Sequence, residues 1–225
     1  MKVIAINGSA RKNFNTAKML NSALGKAKEL GCETELINLY DKPFKGCISC
    51  FACKLKNSKT NGLCAYKDDL RPILEKCLYA DVIILGAPIY YDMPSGVSRS
   101  FLERLLFPIG SYHVNPDGTS RREIEKKIPI GFIYCMNCPE DYMDEVDYKT
   151  ILKHQEGYAN RIMGYAESLY CCNTYQFSDY SKYDFTLFTE EFKRKYRDEH
   201  FEIDLNNAKE LAERLIKKAN EFNCK

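Results

Sequence analysis

The sequence predicts an α/β fold with a doubly wound, five-stranded parallel sheet that has helices on both faces. Five apolar runs alternate with segments of helical periodicity, and this alternation is typical of parallel sheets that are covered on both faces. The third and fourth runs are almost continuously Val, Ile, Leu or Phe, as expected of strands buried on both faces. The predicted strands are residues 3–6, 33–39, 82–87, 128–134 and, approximately, 170–176.

The segments that follow these strands carry apolar residues at the spacing of an amphipathic helix. Asp68 and Asp69 precede the second helical pattern, where carboxylates favour the positive end of a helix. The three apolar faces consist of Ala17, Leu20, Leu24 and Ala27; of Leu70, Ile73, Leu74 and Cys77; and of Leu205, Ala208, Leu211, Ala212, Leu215, Ile216 and Ala219.

The composition predicts one domain over residues 1–225, with insertions after strands 2, 3 and 5. Of the 225 residues, 45% are hydrophobic and 28% are charged, and the formal net charge is +2. This charge gives no electrostatic footprint for nucleic acid or for a membrane surface. Lys2 is followed at once by a short strand and a polar loop, so we expect no signal peptide and a cytoplasmic protein. The insertions are residues 41–66, 108–127 and 177–204.

The loop after the first strand has the composition of a phosphate-binding site. Gly8 permits a tight exit from the strand, while Ser9, Arg11, Asn15 and Thr16 surround the predicted start of the first helix. A helix N-terminus has unpaired N–H groups and about half a positive charge, so it attracts phosphate. The alternative is that these polar side chains only cap the helix. The loop lacks the spacing of a P-loop and of a Gly-x-Gly-x-x-Gly dinucleotide turn.

The loop after the third strand favours a flat conjugated ligand. Residues 86–96 pass from a buried strand into Pro, two aromatic residues, Met and a second Pro. Backbone N–H groups there could bond ring carbonyls and nitrogens, and Tyr90, Tyr91 or Met93 could cover the ring. The alternative is a packed aromatic loop that closes the top of the sheet. Residues 134–139 end the next strand with small polar side chains, and these strand ends converge on one crevice.

Five motifs, in order along the chain, resemble those of the NADPH-dependent FMN reductase family, including its iron–sulfur flavoprotein branch. They cover most of residues 1–140 and are specific as a set. From about residue 140 onward only the final strand and helix match. The motifs are Gly8-Ser-Ala-Arg-Lys-x-x-Asn-Thr16, Cys47-x-x-Cys50-x-x-Cys53, Cys64-x-x-x-Asp68-Asp69, Leu85-Gly-Ala-Pro-Ile-Tyr90 and Phe101-Leu-Glu-Arg104.

The resemblance implies a flavodoxin-like fold with strand order 2-1-3-4-5 and a homodimer or higher homo-oligomer. It implies an oxidoreductase that moves electrons from NAD(P)H, or a reduced protein, through FMN to a small acceptor such as a flavin, a quinone or a nitro or azo aromatic. Because the flavin carries this chemistry, no catalytic side chain is identified. The implied phosphate contacts are Ser9, Arg11, Asn15 and Thr16, and the implied ring contacts are Pro88, Ile89, Tyr90, Tyr91, Met93, Met136 and Asn137.

Eleven cysteines without a secretory signal argue for reduced thiols, a metal or redox work instead of disulfides. Cys47, Cys50, Cys53 and Cys64 could hold a 4Fe–4S cluster, since closely spaced cysteines are its usual ligands, and the chain would then be an electron carrier. Ten residues separate Cys53 from Cys64, which is longer than the pattern of the iron–sulfur branch. We therefore expect no metal on these thiols, with Cys50 and Cys53 packed beside the flavin and Cys47 a free thiol; the cluster is the alternative, and zinc on the same thiols is a further one.

Other residues carry weaker signals. His113, His154 and His200 lie far apart, and no Ser/His/Asp or metal-ligand spacing surrounds them. The Tyr and Phe residues of 177–204 are expected to form core or a dimer surface, with a substrate lid as the alternative. A flavin-free α/β scaffold domain is a third alternative for the whole chain, and the phosphate loop argues against it.

Overall fold

The computed structural model describes residues 1–224, which form a mostly parallel sheet between two layers of helices. The strands are β1 (Lys2–Asn7), β2 (Glu33–Asn38), β3 (Val82–Tyr90), β4 (Met93–Pro94), β5 (Gly110–Val114), β6 (Ser120–Arg122), β7 (Ile130–Cys135) and β8 (Ala166–Cys171). The α-helices are α1 (Asn15–Glu29), α2 (Arg71–Tyr79), α3 (Gly96–Ile109), α4 (Glu140–Glu145), α5 (Tyr148–Met163) and α6 (Glu190–Asn223). Short 3₁₀ turns lie at Leu39–Asp41, Ala52–Lys54 and Tyr180–Lys182.

Parallel strands pair in the order β2-β1-β3-β7-β8, which confirms the predicted doubly wound sheet and its strand order 2-1-3-4-5. β1 and β7 are buried along almost their whole length because helices cover both faces. The register pairs Asn7 with Gly86, Pro88 with Cys135, and Cys135 with Cys171. The carboxyl ends of β1, β3, β7 and β8 therefore meet at one edge, where ligands bind in sheets of this kind.

An apolar layer of helices packs on each face of the sheet. α1 and α6 pack together on one face, and α2, α3 and α5 pack on the other. The predicted apolar faces of the helices are buried, as at Leu20 in α1, Leu74 in α2 and Leu215 in α6. Within residues 1–224, no helix is both long enough and apolar enough to cross a bilayer.

The predicted position of the fifth strand, residues 170–176, is wrong, because β8 ends at Cys171. Asn173 adopts a left-handed φ of 51°, which turns the chain away from the strand direction. The Asn173 N–H donates to Cys138 O at 2.7 Å, and the Thr174 N–H donates to Met136 O at 3.0 Å. Residues 172–176 therefore follow the loop after β7 and do not extend β8.

Other boundaries also differ from the sequence pattern. β3 continues to Tyr90 instead of ending at 87, because its last residues pair with β4 in a tight antiparallel hairpin. α4 and α5 lie between β7 and β8, where no helix was predicted. The 108–127 insertion contains the β5–β6 hairpin. α6 begins at Glu190, so the second half of the predicted 177–204 insertion is helical, and Thr189 Oγ1 caps it by accepting from Phe192 N at 3.2 Å.

Candidate functional site

The β1–α1 loop leaves the sheet through Gly8. The Gly8 N–H donates to Gly86 O at 2.8 Å, and Gly8 O accepts from Ser95 Oγ at 2.7 Å. A Cβ on Gly8 would lie 1.8 Å from Ser98 Oγ, and Ser98 is fully buried. Packing of β1 against β3 and α3 therefore requires glycine at this position.

Two buried polar side chains hold the loop that follows. Asn7 Oδ1 accepts from Ser9 N at 3.0 Å, and Ser9 Oγ accepts from Arg11 N at 3.2 Å. Asn7 Nδ2 donates to Asn38 Oδ1 at 2.9 Å, which ties the end of β1 to the end of β2. Asn7 is absent from the predicted site, although a polar residue at the end of a buried strand was an available signal. These bonds fix the loop backbone without a ligand.

The N-terminus of α1 has no side-chain cap. Phe14 occupies the N-cap position and makes no side-chain cap hydrogen bond. The Ser9 hydroxyl, which could have served as a cap, bonds within the loop to the Arg11 N–H. Capping by the N-cap side chain therefore does not explain the polar side chains around this loop, and the first-turn N–H groups, which have no intrahelical acceptor, can attract an anion.

The strand-end loops enclose a cavity of about 130 Å³ at the carboxyl edge of the sheet. Eight of the eleven predicted contacts line it, together with four residues that were not predicted. Phe14, Cys135, Thr174 and Gln176 are these four, and the last two come from the loop after β8. The predicted residues that line the cavity are Ser9, Arg11, Asn15, Thr16, Pro88, Ile89, Tyr90 and Asn137.

Three predicted contacts lie outside this lining. Tyr91 is 98% exposed, at the tip of the β3–β4 hairpin. Tyr91 and Asp92 adopt left-handed φ angles of 47° and 67°, as in the turns that connect tight hairpins. Met136 is buried in the core beneath the cavity, and Met93 lines a different, larger cavity.

The loop after β8 packs over the β1–α1 loop. Arg11 Nη1 donates to Gln176 O at 2.5 Å, and Asn15 Nδ2 donates to Tyr175 O at 2.9 Å. The Arg11 guanidinium also lies 4.5 Å from the centroid of the Phe14 ring. These contacts hold a positive charge and an amide donor at one end of the cavity.

Two residues of the cavity lining carry buried side-chain amide oxygens. Asn137 Oδ1 and Gln176 Oε1 are buried without a hydrogen-bond partner in the part of the chain that the structure describes, and both residues line the cavity. Such an unpaired buried group costs about 1–3 kcal/mol, which a polar ligand would offset. One end of the cavity has a cation, hydroxyls and a helix N-terminus, and side-chain amides lie nearby. This arrangement fits a ligand that has both a phosphate and a polar ring edge.

The cysteine segment, residues 45–68, brings its four thiols around one small cavity. Cys47, Cys50, Cys53 and Cys64 all line it, and none of the four forms a disulfide. Burial raises the pKa of Cys53, as do the Cys64 and Cys50 thiols to a lesser extent, against the opposing charge of Lys54. The predicted grouping of these residues is therefore seen in space, despite the ten residues between Cys53 and Cys64.

Arg104 of α3 holds both ends of the cysteine segment. Its side chain is 1% exposed, and Nη1 donates to Lys45 O at 3.0 Å while Nη2 donates to Tyr66 O at 3.0 Å. Both guanidinium nitrogens bond the Asp68 carboxylate, at 2.5 and 2.9 Å. Nε donates to Cys64 Sγ at 3.4 Å, so one buried cation joins the backbone, a carboxylate and a thiol.

The donors of the cysteine segment are not arranged for a single ion. Within residues 1–224, no three His, Cys, Asp or Glu side chains are grouped so that they could hold one metal ion. A tetrahedral zinc site needs four ligands within about 2.3 Å of one point. The cavity that the four thiols share has a volume of about 20 Å³, about the space for one water molecule, so only the grouping of the thiols, and not the cavity volume, bears on a cluster.

A second cavity, of about 680 Å³, lies beside the β3–β4 hairpin, between α3, α5 and the cysteine segment. Its walls are mainly apolar and include Phe51, Met93, Phe107 and Tyr158. Arg99 is a charged residue of its lining. Cavities of roughly 300–1,000 Å³ with this character are typical of small-molecule sites.

Known proteins share parts of this sequence. The sequence model of the NADPH-dependent FMN reductase family matches residues 1–128. An iron–sulfur flavoprotein of Methanocaldococcus jannaschii is 41% identical over 104 residues, which are 46% of this chain and 51% of that protein. An FMN-dependent NADPH-azoreductase of Staphylococcus aureus is 29% identical over 106 residues, which are 47% of this chain and 52% of that protein. The chain thus spans about half the length of the curated relatives it matches.

Solved structures share the fold over nearly the whole chain. An NAD(P)H:quinone oxidoreductase from Methanothermobacter marburgensis matches with a TM-score of 0.65 at 14% identity, over 94% of this chain and 97% of that chain. An azoreductase from Bacillus anthracis matches with a TM-score of 0.63 at 12% identity, over 94% of this chain and 98% of that chain. At these identities the likeness concerns the flavodoxin-like fold alone. Because the family's sequence model covers more than half of the residues, the chain belongs to the NADPH-dependent FMN reductase family.

Proposed function

We propose that the chain binds FMN in the cavity at the carboxyl edge of the sheet and acts as an NAD(P)H-dependent oxidoreductase. The observation that carries this proposal is the cavity lined by Ser9, Arg11, Asn15 and Thr16 at the uncapped N-terminus of α1, with the amide residues Asn137 and Gln176 in the same lining. Family membership supports the same cofactor. A quinone, a flavin or a nitro or azo aromatic is the proposed acceptor.

The residues of the cavity would bind the two ends of the cofactor separately. Ser9, Arg11, Asn15 and Thr16 would hold the phosphate, with the positive end of α1. Asn137 would donate to or accept from the polar edge of the ring, and its neighbours would keep bulk water away. FMN, when bound, supplies the capacity to take a hydride from a nicotinamide and pass the electrons on.

The larger cavity beside the β3–β4 hairpin is the proposed site of the acceptor. Its apolar walls suit an uncharged aromatic compound, and Met93 and Pro94 link it to the hairpin whose β3 residues Ile89 and Tyr90 line the FMN cavity. A homodimer stays a prediction from the resemblance, and a cytoplasmic location stays a prediction from the start of the sequence. The acceptor is to be found by a screen of NADH and NADPH oxidation with quinones and azo compounds.

Arg11→Met is expected to weaken FMN binding about 10–100-fold and to leave riboflavin binding nearly unchanged. A hydrogen bond to a charged group contributes about 1.5–3 kcal/mol, and riboflavin has no phosphate to receive it. The measurement is the dissociation constant of each flavin for the apoprotein, from quenching of flavin fluorescence. Lys12→Met is the matched control, because Lys12 is exposed and pairs with Asp41 at 2.5 Å.

Two results would count against this assignment. An equal loss of affinity for FMN and riboflavin would mean that Arg11 only stabilises the loop. Wild-type protein that takes up neither flavin would refute the proposed function itself.

A second candidate function is electron transfer through a 4Fe–4S cluster held by Cys47, Cys50, Cys53 and Cys64. The observation that favours it is the shared cavity of these thiols, with the Arg104 guanidinium bonded to Cys64 Sγ. Hydrogen bonds to cluster sulfurs and nearby charge tune the potentials of such clusters. The name of the Methanocaldococcus relative agrees with this candidate.

Anaerobically purified wild-type protein is expected to contain about four irons and four acid-labile sulfides per chain if this candidate holds. Cys50→Ser is expected to lose most of that iron, because it removes one of four ligands. Cys224→Ser is the control, since Cys224 is exposed near the end of α6, away from the cysteine segment. Iron contents near zero in wild-type protein, before and after reconstitution with iron and sulfide, would leave the FMN reductase function alone.

A further inference from the structure

Lys193, in the first turn of α6, is a fully buried cation. Its Nζ donates to Asn173 Oδ1 at 2.5 Å and to the main-chain oxygen of Asn137. The ammonium also lies 4.1 Å from the centroid of the Phe188 ring. Its partners are thus two neutral oxygens and an aromatic face, and no carboxylate of residues 1–224 forms an ion pair with it.

A buried charge without a counter-charge is unfavourable for the folded state. Burial lowers the pKa of Lys193 to about 8, and the neighbouring Cys138 thiol acts in the opposite direction. The side chain therefore still carries its charge at neutral pH. The two oxygens could be satisfied by an uncharged donor such as Gln, so the charge itself calls for a role of its own.

Lys193 lies directly behind one wall of the FMN cavity. The residue whose main-chain oxygen it binds, Asn137, lines that cavity and has an unpaired amide oxygen there. Its other partner, Asn173, bonds through its N–H to Cys138 O at 2.7 Å and precedes the cavity residue Thr174. The lysine thus joins the loops after β7 and β8 and places a positive charge on the main-chain oxygen of a residue that lines the cavity.

We propose that Lys193 is a positioning residue whose buried charge favours the reduced form of the bound cofactor over the oxidised form. This inference rests on the proposed FMN function. A hydride carries two electrons and one proton, so a neutral ring that accepts it from a nicotinamide gains one negative charge, and the nicotinamide leaves in its oxidised form. The Lys193 ammonium would attract that negative charge through the Asn137 peptide. The charge on the reduced ring would then be the counter-charge that the cation otherwise lacks.

The test is the two-electron midpoint potential of bound FMN in wild-type protein, Lys193→Gln and Lys193→Arg, with the dissociation constant of oxidised FMN measured alongside. Lys193→Gln keeps donors for the two oxygens but removes the charge. We expect the affinity for reduced FMN to fall at least tenfold relative to oxidised FMN, which lowers the potential by about 30 mV or more. Lys193→Arg is expected to keep the wild-type potential.

Lys195→Met is the matched control, because it removes the same charge from an exposed position two residues further along α6. Its potential should equal that of the wild type. If Lys193→Gln binds both redox forms more weakly by the same factor, with an unchanged potential, Lys193 is only a structural tie and the proposal is wrong. Should Lys193→Gln not fold, Lys193→Met also removes the charge, and the ratio of its affinities for reduced and oxidised FMN is compared in the same way, although both oxygens then lose their donor. Wild-type protein that binds no FMN would refute the proposed function, which is a different result.

Discussion

Arg104→Met is expected to lower the free energy of unfolding by about 3–5 kcal/mol, the range seen when one partner of a buried ion pair is removed. The guanidinium is almost fully buried, and the Asp68 carboxylate that it binds is only 15% exposed. Without the arginine, Asp68 keeps its charge in a poorly solvated place, and the carbonyls of Lys45 and Tyr66 lose their donors. The loss should appear in urea denaturation followed by circular dichroism.

Arg99→Met is the control, since Arg99 is an exposed arginine on the same helix, α3. Surface substitutions of this kind usually change the free energy of unfolding by less than about 0.5 kcal/mol. A loss below about 1 kcal/mol in Arg104→Met would contradict the role given to the buried pair. A double-mutant cycle with Asp68→Asn would show how much of the loss belongs to that one contact.

The same pair predicts a dependence of stability on acid. Burial acts to raise the pKa of Asp68, but the hydrogen bonds and charge of Arg104, with backbone donors from Lys45 and Leu70, outweigh it, so the pKa lies below its usual value of 3.8. A carboxyl whose pKa is lower in the folded state stabilises that state at every pH above its pKa in the unfolded chain. That contribution is lost as pH falls from about 3.8 through the lowered folded value. In Arg104→Met this part of the acid dependence should disappear.

Gly8→Ala is expected to lower the free energy of unfolding by about 1–3 kcal/mol, as overpacking of a filled core does, and to weaken FMN binding at least tenfold. The new methyl group would lie 1.8 Å from Ser98 Oγ and 3.1 Å from Gly86 O. Ser98 Oγ is fixed by its 2.9 Å bond to Ser95 Oγ, which itself donates to Gly8 O. Relief of the clash must therefore break this bond or shift the loop that holds Ser9.

A second change in the same protein makes this prediction sharper. Gly8→Ala with Ser98→Ala removes the oxygen that clashes, so we expect it to regain part of both the stability and the FMN affinity. Gly25→Ala is the control, because a Cβ at Gly25 meets nothing within 4 Å in the middle of α1. That variant should be more stable by up to about 1 kcal/mol. FMN affinity in Gly8→Ala equal to the wild-type value would show that the loop accommodates the methyl group.

The sheet could be predicted from the sequence because its strands are buried on both faces, which leaves continuous apolar runs. The exit of the chain from β8 could not be predicted in the same way. Cys171 and Cys172 continue the apolar character, and local sequence does not show that Asn173 turns left-handed. That conformation is held by contacts from distant segments, with Cys138 O and with Lys193 Nζ. Tertiary contacts thus decide where this strand ends.

Dependence on tertiary contacts also separates the residues of the site that were predicted from those that were missed. Ser9 and Arg11 lie two residues apart in one motif, so local pattern and resemblance both find them. Thr174 and Gln176 reach the cavity only because β8 lies next to β7 and its following loop folds back over α1. Lys193 is one charged residue among many in its segment, and only its burial marks it out.

The hydrogen bonds by which Arg104 holds both ends of the cysteine segment also affect what the spacing of the cysteines means. A loop whose two ends are fastened behaves as a closed ring, and the entropy needed to close a flexible ring grows only with the logarithm of its length. Doubling the ring costs about 0.6 kcal/mol. Residues 54–63 could therefore gain or lose several members through evolution while Cys64 keeps its place beside Arg104. In such a ring, the number of residues between two ligands is a weak guide to whether they meet.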